Sequence, residues 1–182
     1  MKRIAGIRFV ALLASVAPLS LAAQQSAYLK VAGLNPNPTA SAHAGELKLS
    51  SFENAGMNGT TATTSATMGA TAGKASFSNV KVSLPLDPAT VGWFWQKMAA
   101  GAHLDSADIR LYNSAGRVFY KTALQDVRVV SVSTAGGDDA STAIEFSFSR
   151  IIWFAPSPKD PTQLVVVAGW DIAKSAPIPL TP

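Results

Sequence analysis

Two histidines, a scatter of carboxylates, one lysine behind a glycine and four tryptophans are the side chains of this 182-residue chain that could do chemistry. His43 and His103 are the only histidines, and there is no cysteine. A zinc site would therefore need both histidines together with carboxylates, and their spacing suggests no such set. His43 reads instead as a hydrogen-bonded residue at the start of a strand. Asp105 and Asp108 stand beside His103. Three apart on a strand they fall on opposite faces, which does not suit a paired general acid and base. Asp138-Asp139 is turn chemistry. Gly73-Lys74 lacks the spaced glycines and the following Ser or Thr of a phosphate loop. Trp93, Trp95, Trp153 and Trp170 could stack on sugars, yet two of them sit in core-like patterns. No nucleophile, base and orienting group come together. The expectation is a protein that is not an enzyme and uses no metal or cofactor.

The N-terminal stretch stands apart from the rest. Lys2, Arg3 and Arg8 are followed by an uncharged apolar run, Phe9 to Ala23, with Pro18 late in it and small residues at Ser20 and Ala22. A basic start, a short apolar centre and a small-residue cleavage site describe a Sec-type signal peptide over 1–22. The run is short for a bilayer span, which needs about 20 residues, so no stable membrane insertion is expected after cleavage. Three of the fifteen basic residues lie in this leader, leaving twelve against eleven acidic ones in the mature chain. That balance offers no basic patch for nucleic acid. The mature part, 23–182, is long enough to bury one core without disulfides, and a single exported domain, periplasmic or extracellular, is expected.

The elements that must position any site are mostly strands. Ala27–Gly33 is a short strand ended by Gly33 and by Asn35-Pro36-Asn37-Pro38. Leu47, Leu49 and Phe52 mark a second. Ala55–Gly73 collapses to Gly, Ala, Thr, Ser and Met with no charge and cannot alone offset its ordering entropy. It is either a disordered surface loop or a loop that orders against a neighbouring subunit. Ala75–Leu84 is the next strand, with opposite parity at Phe77 and at Val80, Val82 and Leu84 predicting a bulge. Asp87 as cap, Pro88 at the first position and Gly101 past the end delimit the one helix. Its apolar face is Val91, Phe94, Trp95 and Met98, with Trp93 off that stripe, on a flank of the core or else exposed or against a partner. Strands follow at 106–112, 117–121, 123–133, 144–154 and 164–172, separated by Asn113–Gly116, Gly136–Asp139 and Pro156, Pro158 and Pro161. About seven strands and one helix predict a barrel or sandwich carrying a helix.

Several local words, in order, resemble the Hcp family, the ring-forming tube proteins of bacterial type VI secretion. Ala27–Leu34 resembles the family's opening strand, and His43-Ala44-Gly45-Glu46-Leu47 its His-x-x-Glu-hydrophobic word. The Gly-rich loop ending Gly73-Lys74, Val80-Lys81-Val82 leading into Leu86-Asp87-Pro88, Val129–Ser133 and Gly169-Trp170-Asp171-Ile172 resemble later words. The match covers about residues 27–175. The resemblance implies a mainly β fold, a β-barrel of two packed antiparallel-rich sheets with one flanking α-helix. It also implies a homo-oligomer in the form of a hexameric ring, with secretion spike or small effector proteins as partners. In the family the loop after the second strand packs on an adjacent subunit, which implies interface positions at Gly56, Met57, Gly59, Met68, Gly69, Gly73 and Lys74. Two departures stand out. The aromatic word after the second strand is reduced to Ser51-Phe52-Glu53-Asn54, and tube proteins need no Sec leader. The alternative is an exported monomeric barrel that binds glycan or peptide, using Trp93 or Trp153, and has left the tube role.

Overall fold

The computed structural model describes residues 25–35, 43–58 and 75–179. The leader 1–22 and the loop positions Gly59, Met68, Gly69, Gly73 and Lys74 lie outside the described residues. Twelve strands and one helix are present among those described. The predicted mainly β architecture holds.

The first strands are β1 (Ser26–Val31), β2 (Leu47–Leu49) and β3 (Ser51–Glu53). The short β4 (Gly56–Asn58) and β5 (Ala75–Phe77) pair only with each other, as a two-stranded ribbon. β6 (Val80–Pro85) follows the ribbon after Ser78-Asn79, so the predicted bulge between Phe77 and Val80 is a full break. After the helix come β7 (His103–Tyr112), β8 (Val118–Ala135), β9 (Ser141–Ser147), β10 (Arg150–Pro156), β11 (Leu164–Asp171) and β12 (Ala176–Pro177).

β8 is the spine. It takes in both strands expected over 117–133 and pairs with β7 over 118–128 on one flank, and with β10 over 121–125 and then β9 over 128–135. All pairings are antiparallel. They run β2–β1–β7–β8–β9–β6–β3. β2 and β3 are consecutive, separated only by Ser50, whose amide donates to the Ser83 carbonyl at 2.8 Å. The circuit of strands thus returns on itself through one bent segment, Leu47–Glu53, in a barrel-like path. A second arm, β10–β11–β12, leaves from β8.

Alternation explains the core. Leu29 and Val31 of β1, Val80, Val82 and Leu84 of β6, Ile109 of β7, Leu124, Val127, Val129 and Val132 of β8, and Ile144 and Phe146 of β9 form one buried cluster. In β1, β6 and β9 the buried residues alternate with neighbours that face the other way, as a period of two requires, whereas β8 changes parity at Asp126, with φ +53°, and at the register shift between Val129 and Ser131.

The helix α1 (Pro88–Ala99) starts and stops where predicted. The Asp87 carboxylate accepts from the Thr90 amide at 3.1 Å and from the Thr90 hydroxyl. Those bonds hold its pKa below the ordinary carboxylate value, the Thr90 hydroxyl foremost. Gly101 has φ +58°, a left-handed conformation that costs glycine little. Phe94 is fully buried against Phe146, with ring centroids 6.0 Å apart. Trp93 packs on the flank of the core, edge-on to Phe94 at 5.1 Å, whereas Trp95, expected on the apolar face, is exposed. A stripe of 100° or more admits either side of Phe94, and Lys97 over the Trp93 ring at 5.3 Å favours the observed one.

Strand 144–154 is interrupted. Phe148 and Ser149 separate β9 from β10, and the Ser149 amide donates to Gln125 O at 3.1 Å while its carbonyl accepts from Ile172 N at 2.9 Å. There the chain leaves the barrel-like circuit for the second arm.

Candidate functional site

The ribbon carries the two described residues of the predicted interface, Gly56 and Met57. Gly56 pairs with Phe77, Met57 with Ser76 and Asn58 with Ala75. The ribbon's base is tied by Ser78, whose amide and hydroxyl both donate to Ala55 O, at 2.9 and 3.0 Å. A side chain at position 56 would meet the Phe77 ring at 3.0 Å. Only glycine lets that ring lie flat on the opposing strand. Phe77 in turn packs beside Trp153 and Trp170, at centroid distances of 6.0 and 6.3 Å. The ribbon is therefore seated on the β10–β11 arm by one aromatic side chain. Met57 points away, 73% exposed, the most exposed large apolar side chain among those described.

A second constellation lies outside the core on β1, β7 and the turn before β2. The Glu46 carboxylate accepts from Arg110 Nη1 at 2.8 Å and from the Tyr112 hydroxyl at 2.9 and 3.1 Å. His43 Nδ1 lies 3.2 Å from the same carboxylate, and its ring stacks on Tyr28 at 3.8 Å and meets Tyr112 edge-on. Arg110 also bonds Asp108 at 3.1 Å, and Lys121 lies 3.8 Å from Asp108. Burial pulls the Arg110 pKa down, but the Asp108 and Glu46 carboxylates outweigh it and the net shift is upward. Burial and the Glu46 carboxylate push the Tyr112 hydroxyl up. His43 is hydrogen-bonded as expected, but from the turn four residues ahead of β2 rather than from the strand itself. Glu46 as the hub was not foreseen. Its partners sit 64 and 66 positions away, and sequence alone does not give the register that brings them together. An open cleft of ≈ 560 Å³ adjoins this cluster, with Gln25, His43, Lys48, Tyr112 and Asn113 in its wall.

The remaining polar residues assemble differently from a catalytic set. His103 Nδ1 bonds Asp126 Oδ1 at 2.7 Å, and Ser149 donates to Asp126 Oδ2. Histidine and serine thus occupy separate oxygens of one carboxylate, whereas nucleophile activation needs serine bonded to the histidine. Asp126 itself sits at φ +53°. The Ser149 hydroxyl first, then His103, holds its pKa low. Asp105 is exposed and Asp108 is engaged by Arg110, so the two carboxylates do not act on a common point. Asp138 and Asp139 are exposed in the β8–β9 turn. Trp93, Trp153 and Trp170 are partly buried against the core. Among the described residues no three His, Cys, Asp or Glu side chains are grouped to hold a metal, and no helix is long and apolar enough to cross a membrane.

Residues 28–154 match the family described as "Type VI secretion system effector, Hcp". Hcp1 from Salmonella typhimurium superposes with a TM-score of 0.69 at 20% identity, covering 85% of this chain and 99% of that one. A second solved structure, of a type six secretion system protein, gives 0.73 at 19% identity over 85% of this chain and 100% of that one. A type VI secretion system effector from Yersinia pestis gives 0.62 at 18% identity, over 80% and 98%. No curated protein matches the chain.

Proposed function

The chain belongs to the Hcp family of type VI secretion, and from that premise we propose that it is an exported structural subunit that associates with copies of itself into a ring. By family and fold it is a tube-like protein. The observation that carries the self-association reading is the ribbon. It projects an uncharged strand with Met57 73% exposed, and Phe77 seats it on the body of the protein. A large apolar side chain presented so openly is well placed for a partner surface. Ring closure needs a head-to-tail contact between two different surfaces of one chain, and the hexamer of the family is the stoichiometry expected. Secretion spike proteins or small effectors held in the lumen would be its further partners.

The N-terminal leader-like segment supports export to the periplasm or beyond and sets this chain apart from a tube protein assembled in the cytoplasm. N-terminal sequencing of the exported protein tests this reading: a start near residue 23 supports it, and an intact Met1 overturns it. Light scattering on the full chain recovered from an exporting host tests the ring. A mass near six subunits is expected, and a strict monomer at high concentration overturns it.

A monomeric glycan- or peptide-binding barrel was to use Trp93 or Trp153. Both are half-buried, and only Trp95 is offered to solvent among the four tryptophans. Trp fluorescence that stays silent across a glycan panel removes that reading.

A further inference from the structure

The bend that closes the circuit of strands also opens a gap in it. β2 pairs with β1 as far as Leu49 opposite Ala27. The next pair would be Ser50 with Ser26, but the Ser50 amide turns to the Ser83 carbonyl and the chain runs on into β3 beside β6. Ser26 keeps Tyr112 of β7 on one flank and has no paired residue on the other among those described. The open cleft of ≈ 560 Å³ lies in that gap, at a size that small-molecule sites take.

The alternation of β1 decides what reaches it. Leu29 and Val31 point into the core, so Ser26 and Tyr28 point outward, and their ladder partners Tyr112 and Lys48 share that face. Lys48 enters no ion pair among the described residues. His43 is held from behind, with Nδ1 on the Glu46 carboxylate, its ring stacked on Tyr28 and meeting Tyr112 edge-on. Nε2 is the ring nitrogen left to offer. When both nitrogens donate, one to Glu46 and one to a ligand, the ring is a cation. Asn113 Oδ1 already accepts from the Ala115 and Arg117 amides at 3.0 Å each, so that side chain has only its N–H groups to give.

The wall therefore offers two cationic groups and an amide donor, and no carboxylate lines it. Glu46 stands behind His43, covered and already met by Arg110 and Tyr112. Clefts elsewhere differ: those of ≈ 430 and 290 Å³ carry Asp171, and one of ≈ 400 Å³ carries Glu53 and Glu145. Ser26, Ser50 and Ser114 complete the wall with hydroxyls.

We propose that this cleft binds a phosphate carried on a small hydroxylated body. Lys48, His43 and the Asn113 amide take the phosphate, through charge-assisted hydrogen bonds, and the serines take the hydroxyls. Glycerol phosphate is a small group of that kind, met either free in solution or as the head of phosphatidylglycerol. The site adds a ligand to the structural role and does not depend on ring formation.

The test is titration calorimetry on the full chain recovered from an exporting host, with glycerol phosphate and inorganic phosphate as probes. Glycerol phosphate should bind, and more tightly than inorganic phosphate. Lys48 is exposed, so Lys48→Ala should keep the fold, as circular dichroism will check. It should weaken glycerol phosphate binding at least ~10-fold, the loss of one hydrogen bond to a charged group, and Lys48→Arg should restore most of it. Lys159→Ala, exposed in the β10–β11 turn, should change nothing. Sedimentation with phosphatidylglycerol vesicles separates the two sources. Co-sedimentation that Lys48→Ala abolishes supports the proposal with the lipid head as ligand, and titration without co-sedimentation supports it with the free solute. Silence in both measurements overturns the proposal, as does binding that Lys48→Ala leaves unchanged. Inorganic phosphate bound as tightly as glycerol phosphate overturns the hydroxylated body and the assignment with it.

Discussion

Glu46 gathers three kinds of donor onto one covered carboxylate: a guanidinium, a phenol and an imidazole. Its side chain is 5% exposed and that of Arg110 26%. Removing the acid leaves a half-buried guanidinium whose Nε already has no partner. Breaking such a pair from one side is costly because the other charge stays behind, here with Asp108 as its one remaining carboxylate. Glu46→Ala should therefore cost about 3 kcal/mol in urea unfolding, and Glu46→Gln less, since the amide oxygen still accepts from Tyr112. A loss below about 1 kcal/mol for the alanine variant would mean that the cluster contributes no more than exposed ion pairs do. Asp171 gives a pH-dependent counterpart. The Lys174 amide first, against burial, and then Arg150 hold its carboxyl below the ordinary value. A depressed folded pKa means stability that is complete above the unfolded value of about 3.9 and is lost as pH falls below it. Asp171→Asn should lower the melting temperature at neutral pH, and the gap from wild type should narrow as pH drops below about 4. A gap unchanged down to pH 2 would contradict this. Of these residues, His43 was legible because its role is local, three positions from Glu46. The hub itself was not.

Among the elements, the helix was the most legible. Asp87, Pro88 and Gly101 act within a turn of their own positions, so their message survives without tertiary information. The strands were legible as strands but not as lengths. One continuous β8 and a break at Phe148-Ser149 look alike in an alternating pattern, because the break is made by Gln125 and Ile172 from elsewhere in the chain. The Leu164–Ala168 run was misleading in another way. Four large aliphatics in a row suggest burial on both faces, yet two of them are exposed. The ribbon depends on a contact between distant residues, Phe77 with Trp153 and Trp170. Phe77→Ala should cost only about 1 kcal/mol globally, as the ring is partly buried. It should still free the ribbon, seen as faster proteolysis near Gly56–Asn58 and a red-shifted tryptophan emission. Unchanged cleavage and emission would mean that the ribbon is held by other contacts.

At the scale of the molecule, the circuit of pairings joins residues that are remote in sequence. Leu29 at the front of the chain lies against Ile109, and Val82 against Ile144. β1 also sits between β2 and β7, so it has no lasting place until β7 has been made. Such a topology pays for closing long loops before its contacts reward it, which slows folding. Refolding from urea, followed by tryptophan emission, should therefore occupy milliseconds to seconds rather than microseconds. A microsecond phase carrying the full amplitude would contradict that order of events. The consequence bears on export as proposed above. A chain whose first strand must wait for a partner about 80 residues on stays open while it is being synthesised. That delay gives a translocation channel time to thread the polypeptide before the sheet can lock.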